Sequence, residues 1–234
     1  MSEAGAQKEP IRVDWENVVR FVRQLSHDLR NDLNAAELQS AYLAEIATDA
    51  EAKDEIKRLR QMLSTLGARL QKLSATVATP KPNPISYPAK DFIDDLYQKV
   101  KLDFAGNIAD LQWQNQASND AVEIDPQLLQ WALLEVLQNA FRHRSGGETL
   151  SLTAGTNDSA FTLTLAEPKE NFAFNGTDWG RAPLANVSGG HYGLGLNRAR
   201  NIIEAHGGRM VAEHDQQSGL LRTKISLPLA AGGP

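Results

Sequence analysis

Residues 79–88 read TPKPNPISYP, with prolines at Pro80, Pro82, Pro84 and Pro88. Each proline removes a backbone donor and drives the residue before it out of helical geometry, so neither a helix nor a central strand runs through this segment. Before it the hydrophobic periodicity is helical throughout. After it strands and helices alternate. The expected fold is therefore α+β: an N-terminal antiparallel helical hairpin, forming a four-helix bundle on dimerisation, followed by a two-layer α/β sandwich. The expected boundaries are a flexible tail at 1–11, the hairpin at 12–79, a proline-rich linker at 80–88 and the α/β domain at 89–230.

Upstream, the first helix is expected to start at Asp14, a good N-cap, and to run without Gly or Pro to about Ala47. Thr48 and Glu51 have the spacing of a capping box that starts the second helix. That helix places Ile56, Leu59, Leu63, Leu66, Leu70, Leu73 and Val77 at alternating steps of three and four, the narrow stripe of a coiled-coil seam. Val18, Val22, Leu25, Leu29, Leu33, Ala36 and Leu43 form a looser match on the first helix. A lone helical hairpin buries too little surface to be stable, so a homodimer is expected.

Downstream, strands are expected at Ile85–Tyr87, Leu111–Gln116, Ala121–Asp125, Thr149–Ala154, Ala160–Ala166, Met210–His214 and Leu221–Leu227. Helices are expected around Phe92, Leu96 and Val100, from Pro126 to His143, and from Leu194 to Ala205. The segment from Glu167 to Tyr192 is poor in regular pattern.

Composition closes off several functions. The chain has 234 residues with 41% hydrophobic and 23% charged, which is ordinary globular chemistry. The net charge of -5 argues against nucleic-acid binding. With no cysteine, disulfides, thiolate metal sites and a cysteine nucleophile are impossible. No apolar run is long enough to span a membrane and no signal core precedes the first helix, so a cytoplasmic protein is expected.

Three stretches carry candidate chemistry. In SHDLRNDLN at 26–34, His27 lies about 200° round the helix from both Leu25 and Leu29, and so faces solvent. A solvent-facing imidazole beside the Asp28 carboxylate can act as a nucleophile, because the acid orients the ring or takes its proton. It can equally be one polar residue on a solvated face. In LLQWALLEVLQNAFRH at 128–143, the apolar stripe of Leu129, Leu133, Val136, Leu137 and Ala140 is backed by Glu135, Asn139 and His143 or Arg142. A Glu and an Asn one turn apart can present oxygens to one magnesium ion, though a solvated polar stripe has the same spacing. In SGGHYGLGLNRARNIIEAHGG at 188–208, Gly189, Gly190, Gly193 and Gly195 lead into a helix, where backbone N–H groups and the helix N-terminus favour phosphate. Arg198 and Arg200 put cationic heads nearby. Such a loop is also a common flexible connector.

Taken together the three resemble the sensor histidine kinases. SHDLRNDLN resembles their phosphoacceptor box. The other two resemble the asparagine box and second glycine box of the ATPase domain shared by histidine kinases, gyrase, Hsp90 and mismatch-repair ATPases. The resemblance covers residues 15 to 228. It implies ATP and Mg2+ as cofactors, His27 as phosphoacceptor, Asp28 as its base, and Asn31 as the residue that orients water for dephosphorylating a partner's aspartate. It implies Asn139 as magnesium ligand assisted by Glu135. Gly193, Leu194, Gly195 and Leu196, with Arg142 and His143, would form the rest of the nucleotide site. The implied partner is a response-regulator receiver domain.

The match departs from the family at one place. Where the family has an Asp-x-Gly-x-Gly turn whose Asp reads the adenine amine, this chain has Glu167-Pro168-Lys169-Glu170-Asn171. Glu167 is the only acid at the expected place, and no glycine follows. Pro168 is expected to stiffen the turn, and Trp179 in the stretch Asn171–Ser188 either stacks on a base or packs on the core. Three functions fit: an ATP-dependent histidine kinase core, a phosphotransferase or phosphatase with weak or absent ATP binding (a pseudokinase), and a non-catalytic dimeric scaffold. With no room for a sensor domain, the input is expected from an upstream sensor protein or from a larger chain of which this is part.

Overall fold

The computed structural model describes residues 14–144, 147–157, 159–169, 179–181 and 193–230. The expected tail at 1–11, Gly189, Gly190 and most of the stretch from 170 to 192 lie outside the described residues. The chain forms two compact units that divide between Ala78 and Thr79.

The first unit is two antiparallel helices, α1 (Trp15–Ile46) and α2 (Ala50–Val77). Asp14 occupies the N-cap of α1 with extended backbone, but its side chain accepts no capping bond. The cap of α2 is Asp49 rather than the expected Thr48: its carboxylate accepts from the Ala52 amide at 2.9 Å. Both residue types cap well, and the chain uses the one adjoining the first turn. The packing of α1 differs from the simple seam. Ser26 and Ser40 are buried, with Leu33 half-buried between them, whereas Leu25 and Leu29 stay 44% and 41% exposed. These serines lie about 60–100° round the helix from Leu25. The apolar arc of α1 is thus wider than α2 covers. On α2, Ile56, Leu63 and Leu70 are half-buried while Leu59 and Leu66 remain exposed.

The second unit opens with β1 (Ile85–Pro88) and α3 (Ala89–Asp103), then a short 3-10 turn at Ile108–Asp110. Next come β2 (Leu111–Gln116), β3 (Ala121–Ile124), α4 (Pro126–His143), β4 (Leu150–Thr156) and β5 (Ala160–Pro168). The chain closes with α5 (Leu194–Ala205), β6 (Arg209–Asp215) and β7 (Leu220–Pro228). Five strands make a mixed sheet in the order β2-β4-β5-β7-β6, parallel at β2–β4 and antiparallel elsewhere; β1 and β3 pair separately. Alternation buries one face: Phe161, Leu163 and Leu165 on β5, Leu221, Ile225 and Leu227 on β7. Phe92, Ile93 and Leu96 of α3, six residues of α4 and Ile202 and Ile203 of α5 complete this core.

One correction concerns β5. It continues through Glu167 and Pro168, paired with Leu221 and Leu220 of β7, instead of turning at Glu167. On the β4 side the pairing ends at Ser151–Ala166, so the proline's missing donor leaves that ladder intact.

Asp125 caps α4, accepting from the amides of Leu128 at 3.0 Å and Asn83 at 3.1 Å. Its own amide donates to Nε2 of His206 at 3.0 Å, so His206 carries its proton on Nδ1, which donates to the Ile202 carbonyl at 2.7 Å. Burial pushes the Asp125 carboxyl up, but the backbone donors of Leu128, Asn83 and Gln127, with His206 nearby, outweigh it and hold the group below its usual value.

A group with a depressed folded-state pKa stabilises above its unfolded pKa, and that contribution is lost as pH falls through the folded value. Asp125→Ala should therefore cost about 0.5–2 kcal/mol at neutral pH, with a smaller deficit in acid. Thermal melts of both proteins at neutral and acidic pH check this; a deficit that grows on acidification would contradict it.

Candidate functional site

In the hairpin unit, the His27 side chain is 68% exposed on α1 and its Nδ1 lies 3.2 Å from Oδ1 of Asp28. The same oxygen accepts from Nε2 of Gln24 at 2.9 Å. Gln24, one turn before Asp28, is absent from the sequence-derived set; its i,i+4 spacing was the available signal. Asn31 is exposed one turn beyond His27. With Nδ1 facing a carboxylate, the ring's other nitrogen is left toward solvent.

In the α/β unit, α4 and α5 bring two of the expected residues into contact. A Cβ built on Gly195 would meet the Glu135 carboxylate, 2.6 Å from its Cδ. Gly193 caps α5 in left-handed conformation, φ +63°, and among the described residues no side chain caps that turn. Leu194 is buried and Leu196 packs against the core, so the two leucines anchor the turn while the glycines form its surface. Asn139 follows Glu135 by one turn at intermediate burial, and Arg142 and His143 are exposed at the helix end. Arg144 fixes that end, pairing with Asp110 at 2.8 Å.

The two arginines of α5 are not loose cationic heads. Arg200 is buried and donates through Nε and Nη2 to the Trp179 carbonyl at 3.0 and 2.6 Å. Trp179 packs in the core. Arg198 lies over the Trp131 ring, 4.7 Å from its centroid, with Nε and Nη1 buried and without hydrogen-bond partners. Burial lowers its pKa and Glu135 opposes that shift. Trp131, one turn before Glu135, was legible only as part of the helix.

Glu167 stands apart from this pair: no described contact joins it to α4 or α5. It is 1% exposed, in line with the core-facing residues of β5. Its Oε1 lies 3.9 Å from Nζ of Lys169, too long for a hydrogen bond, and its Oε2 is buried without a partner. Burial raises its pKa and Lys169 opposes the shift without cancelling it.

The architecture is that of histidine kinase cores. Full-length ShkA, solved in complex with AMPPNP, superposes with a TM-score of 0.66 at 17% identity, covering 92% of this chain and 47% of its own. The relatives are sensor histidine kinases. The adaptive-response sensory kinase SasA of Synechococcus sp. (strain CC9311) is 24% identical over 221 residues, 91% of this chain and 57% of SasA. The sensor histidine kinase ZraS of Escherichia coli (strain K12) is 24% identical over 199 residues, 83% of this chain and 42% of ZraS. The chain thus spans about half the length of the curated relatives it matches. No protein-family model matches it. Among the described residues no helix is long and apolar enough to cross a membrane.

Two glycines separate site from scaffold. A Cβ on Gly208 would meet the Ser226 carbonyl at 2.6 Å, a backbone atom that cannot yield, whereas one on Gly195 meets the end of a flexible side chain. Gly208→Ala should lower the thermal midpoint by several degrees, and Gly195→Ala by much less while displacing Glu135. Melting curves check this; a larger loss in Gly195→Ala would contradict it.

Proposed function

We propose that this chain is the kinase core of a two-component system, using ATP to phosphorylate His27 and passing the phosphoryl group to, or removing it from, the aspartate of a response-regulator receiver domain. The observation that carries the reading is the exposed imidazole of His27 held through Nδ1 by Asp28, in a chain whose second unit has the histidine-kinase fold. In this mechanism the Nε2 lone pair attacks the γ-phosphorus. An N–P bond forms as the P–O bond to ADP breaks, and the Nδ1 proton passes to Asp28, leaving a neutral phosphorylated ring. Asn31, on the exposed face one turn on, would orient the water that hydrolyses the receiver's aspartyl phosphate to inorganic phosphate.

The α/β unit fits a nucleotide. Oε2 of Glu167, buried without a hydrogen-bond partner, offers a polar contact to a base, and the glycine turn before α5 offers close backbone approach to phosphates. Asn139, assisted by Glu135, would hold magnesium, which neutralises charge on the phosphates. Among the described residues no three His, Asp or Glu side chains converge on one point. Magnesium suits so sparse a donor set because it keeps waters and takes oxygens from the nucleotide. A phosphotransfer protein without ATP turnover, or a bare scaffold, would need neither the buried carboxyl nor the glycine turn.

The uncovered apolar edges of the hairpin, Leu25, Leu29 and Leu43 on α1 with Leu59 and Leu66 on α2, support a homodimer.

With labelled ATP and magnesium, label should appear in the wild type, vanish in acid because phosphoramidates are acid-labile, and be absent from His27→Gln. Acid-stable label, or label on His27→Gln, would contradict the assignment. Leu66→Asp puts a charge into the uncovered edge, where its burial is costly. Sedimentation at micromolar concentration should give a dimer for the wild type and monomer for Leu66→Asp; a monomeric wild type would sink the bundle.

A further inference from the structure

Core packing does not account for Arg198. Its guanidinium lies over the Trp131 ring, 4.7 Å from the centroid, and Nε and Nη1 are buried without a hydrogen-bond partner among the described residues. Stacking on an aromatic ring satisfies the face of a guanidinium but not its in-plane N–H groups, which still need acceptors. A buried donor left in this way is costly unless an acceptor reaches it in another state of the protein. Few acids can do so from the two facing helices. On α5 the sole acid is Glu204, which pairs with Arg200 at 3.4 Å, and on α4 the sole acid is Glu135. Asp125, the N-cap of α4, is committed to the amides of Leu128 and Asn83.

The register of the two helices sets Glu135 beside Arg198. Gly195 meets Glu135; three residues further along α5, Arg198 meets Trp131, which lies four residues before Glu135 on α4. The two contacts are therefore successive rungs of one antiparallel helix pair, one turn apart. Burial lowers the pKa of Arg198 and the Glu135 carboxylate opposes that shift, as two charges on neighbouring rungs should. Yet the carboxylate lies over Gly195 and not on the arginine donors. There it borders the turn from Gly193 to Leu196, where nucleotide phosphates would bring more negative charge. Like charges so close repel.

Resting on the nucleotide reading above, we propose that Arg198 is a positioning residue for Glu135: when phosphates occupy the glycine turn, the carboxylate swings off Gly195 and a donor of Arg198, Nε or Nη1, receives it. Rotation about the Glu135 side-chain bonds is enough, so neither helix has to move. Trp131 holds the guanidinium in place meanwhile. Because the pair forms only with nucleotide bound, it strengthens nucleotide binding and adds nothing to the stability of the free protein.

Met keeps the length of the side chain and its contact with the Trp131 ring while removing the charge. The test is calorimetric titration of the full chain with ATP in magnesium, beside thermal melts without nucleotide. Arg198→Met should bind ATP about tenfold more weakly, the loss of one charged hydrogen bond, and should melt like wild type when free of nucleotide. Arg198→Lys, which keeps a charge for Glu135, should recover most of that affinity. In a Glu135→Gln background, Arg198→Met should change ATP affinity by less than about twofold, because the carboxylate that Arg198 receives is gone. Wild-type ATP affinity in Arg198→Met overturns the inference. So does an equal loss with and without the Glu135 carboxylate, the mark of a direct arginine–phosphate contact. A nucleotide-free Arg198→Met that melts well below wild type also overturns it, by assigning the guanidinium to the fold. Wild type that binds no nucleotide overturns the nucleotide reading itself, and this inference with it.

Discussion

Where α4 crosses α5 there is no room for a Cβ. Six buried residues fasten α4 to the sheet, and the Glu135 carboxylate projects from it into the space over Gly195. A side chain at 195 would have to turn Glu135 away. The arrangement of the candidate nucleotide site depends on this approach. It sets the height of the turn from Gly193 to Leu196 above Asn139's helix, and it brings Arg198 onto the Trp131 ring beside Glu135. The cost is a guanidinium with two buried nitrogens that have no acceptor, which core packing alone would not select.

The hairpin works under a different constraint, that of surface. Small buried serines let α1 and α2 lie close along one stripe, and the larger leucines are turned to the flank. Because α1 carries more apolar arc than α2 can cover, the pair alone leaves much of its hydrophobic material in water. His27 escapes both stripes, and its exposure follows from helical geometry, with the Asp28 carboxylate beside its Nδ1.

Much of this was legible from local pattern. Pro126 at a first helical turn and the Gly207-Gly208 stop bracket α4 and α5 as the structure has them, because proline and glycine act through backbone sterics that need no tertiary context. Legibility failed where the deciding partner is distant in sequence. The extension of β5 through Glu167 and Pro168 is imposed by Leu221 and Leu220, more than fifty residues on. The commitment of Arg200 to the Trp179 carbonyl is likewise a tertiary contact. On α1 the buried serines went unnoticed because hydrophobic periodicity ranks Leu25 and Leu29 above Ser26 and Ser40, while close helix approach rewards small residues. The cap of α2 was one residue off because Thr48 and Asp49 are equivalent by type.

His206 bridges the last turn of α5 to the cap of α4, binding the Ile202 carbonyl with one ring nitrogen and the Asp125 amide with the other. The rest of α5 is held by other contacts: Leu194 is buried, Asn197 donates to the carbonyls of Gly180 and Arg181, and Arg200 donates to that of Trp179. One imidazole thus serves two helix ends, so its loss would loosen the start of α4 and the end of α5 together.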